Sequence, residues 1–353
     1  MQPNENLPQH PCTARLASRQ PPHCAALGRH TALRWAAMLR QHGHQVELRM
    51  TWDDQPADLM LALHARRSAD SIARFHAAQP HAPLIVALTG TDIYRDIQFD
   101  AAAQRSLTLA TRIIVLQDQG LNELAPALRA KTCVVYQSAA TQARRAPLKR
   151  AFEVCVIGHL RPEKDPFRAI EALRLLPSNS RIRIRQLGQA LDANMAAQAQ
   201  HWMQIEPRYR WLGDRPHGAV MRQLARAPLM VISSYMEGGA NVICEAVTVG
   251  TPVIASAIPG NLGMLGMDYA GYYPPGDAAA LATLLDRAER DPAWLAQLAA
   301  QCAARRPLFL PRAEAAALLR AIEAAPTLLK EMQYENQLMD TGTERTDTAG
   351  AGG

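Results

Sequence analysis

The stretch PLMVISSYMEGGANVICEAVTVGTPVIAS, residues 228–256, decides how the rest of the chain is read. Its apolar ends, 229–232 and 252–255, are short, β-branched and bounded by turn residues, the pattern of strands buried on both faces of a parallel sheet. Between them Gly238 and Gly239 let the backbone come close to a ligand, and Asn241 is placed to cap a helix ending near Gly250. Strand, glycine loop, helix and strand make one βαβ unit. The free N–H groups and positive dipole end at such a helix start attract a phosphate or pyrophosphate. Glu237 on the loop and Glu245 about one turn into the helix can both face a ligand lying there, where carboxylates accept hydrogen bonds from hydroxyls. A diphosphate with a polyol on each side, such as a nucleotide sugar, fits this arrangement. On spacing alone a plainer reading weighs as much, with Glu237 a solvated loop residue and Glu245 an acid favoured by the dipole.

The same alternation extends in both directions. Upstream, HTALRWAAMLRQHG forms an apolar helical face that Gly43 stops, and strands are expected at 46–50, 59–63, 84–88, 112–116 and 132–136. The proline-bearing segment 12–27 is expected to supply a first strand and loop. Arg66 and Arg67 follow the strand 59–63, just before Ser68, which is expected to cap the next helix; such a corner suits an anion. Two surface arginines are the alternative. Thr91 and Asp92, in TGTDIYRDI, lie at a second strand end. The basic run TQARRAPLKR, 141–150, reads as a linker.

Downstream, the strand 152–157 opens into GHLRPEKD, which places Gly158, His159, Arg161 and Lys164 at its carboxyl end. Ligands of open α/β sheets bind at the carboxyl ends of strands, so these cations are expected to converge on the Glu237 to Glu245 loop. IPGNLGMLG follows another strand end, so Gly260 and Asn261 are expected to line the same site. The resulting expectation is an α/β chain of two Rossmann-like domains, 10–140 and 151–310, a C-terminal helix 311–334 and an unstructured tail 335–353.

Composition narrows the function classes. The 353 residues are 48% hydrophobic and 20% charged, and no run of about eighteen apolar residues occurs, so no membrane span is expected. Residues 1–11 do not have the pattern of a signal peptide, which leads to an expected cytoplasmic location. A net charge of +6 favours an anionic ligand, while 5% aromatic residues argue against a nucleic-acid stacking platform. The six cysteines show neither CxxC nor His/Cys metal spacing and read as buried hydrophobes, and Asp53 and Asp54 as turn residues rather than metal ligands.

EGGANVICEAVTVGTPVIAS resembles the E-x7-E motif of family 4 glycosyltransferases, and GHLRPEKD resembles their phosphate-binding loop. The resemblance runs from about Arg29 to Leu319. It implies a GT-B fold with a nucleotide-sugar cleft between its two domains, catalysis without a metal and no bound cofactor. It also implies that Glu237 meets the donor sugar, Glu245 the ribose hydroxyls, and Gly158, Gly238, Gly239, Ala240, Asn241, Gly260 and Asn261 the rest of the nucleotide sugar. Lys164 matches the family lysine; His159 stands where the family has arginine and Arg161 two residues later, so either can meet the distal phosphate.

A narrower resemblance rests on GRHTALRWAAMLR, ALHARRSADSIARF, ALTGTDIYRD, GHLRPEKDPFRA and SYMEGGANVICEA together, which are similar to the selenosugar synthases of selenoneine biosynthesis. It implies a UDP-sugar donor, UDP-N-acetylglucosamine or UDP-glucose, and selenophosphate as acceptor. Arg161 and Lys164 would then stabilise leaving-group charge. An anionic acceptor needs a cationic pocket on the first domain, for which Arg66 and Arg67 are the leading candidates, followed by Arg29, Thr91 and Asp92. An ordinary family 4 enzyme acting on a hydroxyl, and a noncatalytic nucleotide-sugar binder, are the alternatives.

Overall fold

The computed structural model describes residues 13–17, 26–147 and 150–343. Two compact units emerge, one containing the chain up to Val115 with Leu124–Cys133 and the helix from Ala315 onward, the other containing Leu116–Glu123 and Val134–Glu314.

The first unit is built on β1 (Thr13–Ala17), β2 (Gln45–Arg49), β3 (Leu59–Leu63), β4 (Leu84–Ala87), β5 (Arg112–Val115) and β6 (Thr132–Val134), in the order β2-β1-β3-β4-β5-β6. Strands β2 through β5 pair in parallel. β3 (LMLAL) and β4 (LIVA) are buried at every position, which explains their unbroken apolar sequences. Because β2 lies on one side of β1 and β3 on the other, the connections reverse direction between β1 and β3. The carboxyl edge there is where ligands of open α/β sheets bind.

The second unit carries β7 (Phe152–Ile157), β8 (Ile182–Leu187), β9 (Tyr209–Trp211), β10 (Leu229–Ile232), β11 (Val253–Ser256) and β12 (Tyr272–Tyr273). They are ordered β9-β8-β7-β10-β11-β12, with every pairing parallel. Read from β7, this is the doubly wound 3-2-1-4-5-6 order, with its switch point between β7 and β10. Leu229 of β10 is in register with Val154 of β7, so the loops that leave these two strands start side by side.

Several expectations are corrected. The glycine-rich stretch after β11, for which no element was expected, is helical over Pro259–Leu265, with proline at the first turn. The helix after GHLRPEKD, expected from about Asp165, begins at Arg168, preceded by a 3₁₀ turn, Pro162–Lys164, that ends on Asp165 in a left-handed conformation (φ 43°). The expected tail from 335 is overturned as far as Thr343, because one helix runs Pro311–Thr343. Good helix formers such as Glu, Gln, Leu and Met continue past 334 although core-forming spacing does not. Residues 134–140, expected with the first domain, group with the second unit. The expected linker is held to that unit, since Arg144 donates to the Ala225 carbonyl and the Arg145 amide does the same. A strand is present within 12–27 as expected; residues 18–25 lie outside the described residues.

Candidate functional site

In the second unit the loops after β7 and β10 are bound to each other. Lys164, closing the 3₁₀ turn, forms an ion pair with Glu237 on the loop after β10. Glu237 also accepts a hydrogen bond from the Ser234 hydroxyl at 2.6 Å. The backbone ties the same loops: the Tyr235 amide donates to the Glu163 carbonyl at 2.9 Å, and the Ser233 hydroxyl to the Lys164 and Asp165 carbonyls at 3.0 and 2.8 Å. Glu237 is only 8% exposed, so its charge is compensated by Lys164 rather than by bulk water. This settles one choice left open by spacing: Glu237 is not a solvated loop residue.

The two glycine positions around this loop have packing reasons. A Cβ on Gly239 would stand 2.6 Å from the Leu116 Cβ, and one on Gly260 would stand 1.9 Å from the Glu237 carbonyl oxygen. Gly260 therefore supports the Glu237 loop from behind, through the first turn of the helix Pro259–Leu265. Asn261 is fully buried, and its amide donates to the Ser256 carbonyl and hydroxyl at 2.9 and 3.1 Å. Both residues brace the loop from the interior rather than line it. Gly238 and Ala240 are buried in the same loop.

The helix Asn241–Val249 begins without a side-chain cap. Its N-cap is Ala240, and Asn241, expected in that place, is the first helical residue. The Asn241 amide instead donates to Glu245 Oε1 at 3.0 Å, one turn along the same face. His217 Nδ1 lies 3.8 Å from the same oxygen, from the start of the helix His217–Arg226. Glu245 is 8% exposed. Among the described residues, the buried side-chain atoms without a hydrogen-bond partner include Asn241 Oδ1, Asn261 Oδ1 and Arg161 Nε. These unmet polar atoms, an uncapped helix start and a carboxylate pair thus share one strand-end region.

His159 follows Gly158 at the end of β7. Its Nδ1 accepts from the Gln189 amide at 3.2 Å, which leaves the proton on Nε2. Burial lowers its pKa, and the positive charges of Arg161 and Lys164 lower it further against the opposing pull of Asp214. These influences favour the neutral form of His159, a donor of one N–H.

The first unit assembles a separate corner. Arg66 is 53% exposed on its side chain and pairs with Asp100 at 2.9 Å and Asp96 at 3.7 Å. Among the described residues Arg67 pairs with no carboxylate. Ser68 does not cap the helix Ala69–Ala78 as expected, because its hydroxyl donates to the Leu63 carbonyl. Asp92 is buried and accepts from the amides of Thr89 and Gly90, each at 2.8 Å, and from that of Ala65 at 3.2 Å. It is therefore a loop brace. Thr91 faces His64, whose Nε2 lies 3.1 Å from the Thr91 hydroxyl. Of Arg29, in the helix Ala26–Gln41, the side chain lies outside the described residues. Among the described residues no group of three His, Cys, Asp or Glu side chains is placed to hold a metal, and no helix is long and apolar enough to cross a membrane.

Three residues were missed by sequence reading. Ser234 and His217 touch the two carboxylates from sites with no motif of their own. His64 is the first residue beyond an all-apolar strand, a position that marks a candidate wherever the strand is buried.

Residues 111–306 match the family described as glycosyl transferases group 1, more than half of the chain. The chain belongs to this family. A D-inositol 3-phosphate glycosyltransferase of Corynebacterium glutamicum is 30% identical over 145 residues, 38% of this chain and 35% of that protein, so the match spans about a third of the relative's length. HepE of Anabaena in complex with UDP superposes with a TM-score of 0.71 at 18% identity, over 89% of this chain and all of that one. Sucrose-phosphate synthase of Thermosynechococcus elongatus gives 0.67 at 16%, over 94% of this chain and all of that one. At these identities the likeness is one of fold, and the fold is GT-B.

For a glycosyltransferase the electrostatics of the loop after β7 are open to direct test. Arg161 is the larger of the two cationic influences on His159, so Arg161→Gln should raise the His159 pKa toward its ordinary value. Ring-proton NMR across a pH titration reads this. An unchanged midpoint would remove Arg161 from the surroundings of His159.

Proposed function

We propose that this glycosyltransferase transfers the sugar of a UDP-sugar, UDP-N-acetylglucosamine or UDP-glucose, to the selenium of selenophosphate. The observation that carries the donor half is the buried Lys164–Glu237 pair beside Glu245 and the uncapped helix start, all at the switch point of the second sheet. A diphosphate takes the Lys164 and Arg161 side, where helix N–H groups also point, and the hydroxyls of sugar and ribose take Glu237 and Glu245. HepE, similar in fold, has been solved with UDP and with UDP-glucose, which supports a uridine nucleotide donor.

In the reaction the bond from the sugar's anomeric carbon to the diphosphate oxygen breaks, and its electron pair leaves on UDP. Lys164 and Arg161 offset the growing negative charge. A selenium lone pair forms the new bond to the anomeric carbon. Water then takes the phosphoryl group from selenium, giving the 1-selenosugar and inorganic phosphate. An anionic selenophosphate needs no base to activate it, only cations to hold it, and Arg67, unlike its neighbour Arg66, pairs with no carboxylate among the described residues. The acceptor half rests on the five stretches similar to selenosugar synthases.

A second reading follows from the name of the curated relative, which acts on an inositol phosphate. A hydroxyl acceptor carrying a phosphate monoester would use the same kind of corner.

Three measurements test the proposal. Glu245→Ala should weaken UDP binding by about 1–3 kcal/mol, the scale for losing hydrogen bonds to a charged group, and unchanged calorimetric affinity would take Glu245 out of the nucleotide site. Lys164→Ala should lower kcat by about 100-fold, as loss of a preorganised electrostatic donor does, with activity persisting in chelator. The deciding experiment offers a panel of UDP-sugars with selenophosphate or with phosphorylated and free polyols, and follows products by mass spectrometry. A selenosugar is expected; turnover with polyol phosphates alone would establish the second reading.

A further inference from the structure

We infer that His64 is a positioning residue for the acceptor's oxyanion group, acting through the Arg67 amide and the Thr91 hydroxyl; this rests on the acceptor reading above. His64 leaves the end of β3 with φ 78°, left-handed backbone that a residue with a side chain rarely adopts, and it is 3% exposed. Strain of this kind persists where the surrounding structure enforces it, and it clusters at ligand clamps.

What enforces it here is visible. The Arg67 amide donates to His64 Nδ1 at 3.3 Å, so the proton sits on Nε2, which faces the Thr91 hydroxyl at 3.1 Å. Asp92 Oδ2 lies 3.8 Å from Nδ1 and Asp96 Oδ2 3.8 Å from Nε2. The imidazole thus joins the loop after β3 to the loop after β4, at the switch-point end of the first sheet. Asp92 is already spent on three backbone amides, and Asp96 faces Arg66. The two groups that the imidazole fixes directly are the backbone of Arg67 and the hydroxyl of Thr91. With the Arg67 backbone and the Thr91 hydroxyl held on either side of one rigid ring, the Arg67 side chain and that hydroxyl would make a seat for a tetrahedral oxyanion, the phosphate of selenophosphate or of a phosphorylated alcohol. Just beyond it Asp92–Asp96 forms a π-helical turn, a feature that recurs at functional sites.

The test uses the full chain and inorganic phosphate as the probe, with excess UDP to fill the donor site. Phosphorus NMR line broadening reads phosphate affinity, and calorimetry reads UDP affinity. Arg67→Ala and His64→Gly are each expected to weaken phosphate about tenfold or more while UDP binding stays as in the wild type. His64→Asn, whose Oδ1 replaces Nδ1 as acceptor and which tolerates left-handed backbone, should stay within about threefold of wild type. Glycine relieves the backbone strain, so a stably folded His64→Gly that binds phosphate poorly marks a constraint kept for binding. A merely structural role would lower the melting temperature and leave phosphate affinity alone. Wild-type phosphate affinity in His64→Gly, alongside a loss in Arg67→Ala, overturns this inference only. No loss in Arg67→Ala overturns the acceptor reading and this inference with it. Should His64→Gly not fold, Thr91→Val carries the test: about threefold weaker phosphate is expected, and unchanged affinity refutes the role of His64.

Discussion

The ion pair between Lys164 and Glu237 joins two loops that sequence order keeps 73 residues apart, and most of the second unit's site depends on it. Both partners are largely withdrawn from water, so each charge is tolerable only while the other is present. Removing one partner of such a pair costs about 3–5 kcal/mol, mainly because the survivor is left buried and uncompensated. The backbone reinforces the contact on both sides, through the Tyr235 amide and the Ser233 hydroxyl, and Gly260 admits the Glu237 carbonyl at a distance no side chain would allow. Glu237 and Lys164 thus begin in a fixed geometry.

The carboxylate at the other end of the loop is held by a lighter set of contacts. Asn241 reaches Glu245 along one helix face, and His217 approaches from a neighbouring helix start. The amide oxygen of Asn241 is left unmet because its nitrogen is turned toward Glu245. The helix start keeps its free N–H groups for the same reason: the residue able to cap it lies one position too far along and faces its own helix. A helix that forgoes a cap loses about 1 kcal/mol of stability and retains the donors an anion requires.

The first unit solves a related problem with different groups. Its strand-end loops are joined by a neutral imidazole rather than an ion pair. Burial lowers the His64 pKa; Asp92 and Asp96 pull it up, and Arg67 and Arg66 push it down. Of two adjacent arginines, Arg66 is committed to Asp96 and Asp100, and Arg67 pairs with no carboxylate among the described residues. Both units therefore gather polar side chains at the carboxyl ends of buried strands, where apolar spacing stops.

That common rule explains what the sequence by itself determined. Unbroken apolar runs gave the buried strands β3, β4 and β10, and the glycine loop with Glu237 and Glu245 was legible as the connection between β10 and the helix that follows it. Elements whose local signal ran against their structure escaped it: the helix Pro259–Leu265 is rich in glycine and proline, and β12 has two residues. Tertiary structure alone decided which polar groups are free. Ser68, Asn241 and Arg66 each have the right chemistry for an expected cap or ligand, yet the Leu63 carbonyl, Glu245 and the Asp96–Asp100 pair already engage them. Those partners are brought within reach by strand order and loop conformation. A polar side chain's availability depends on which groups lie within about 3 Å of it, a distance that spacing along the chain does not encode.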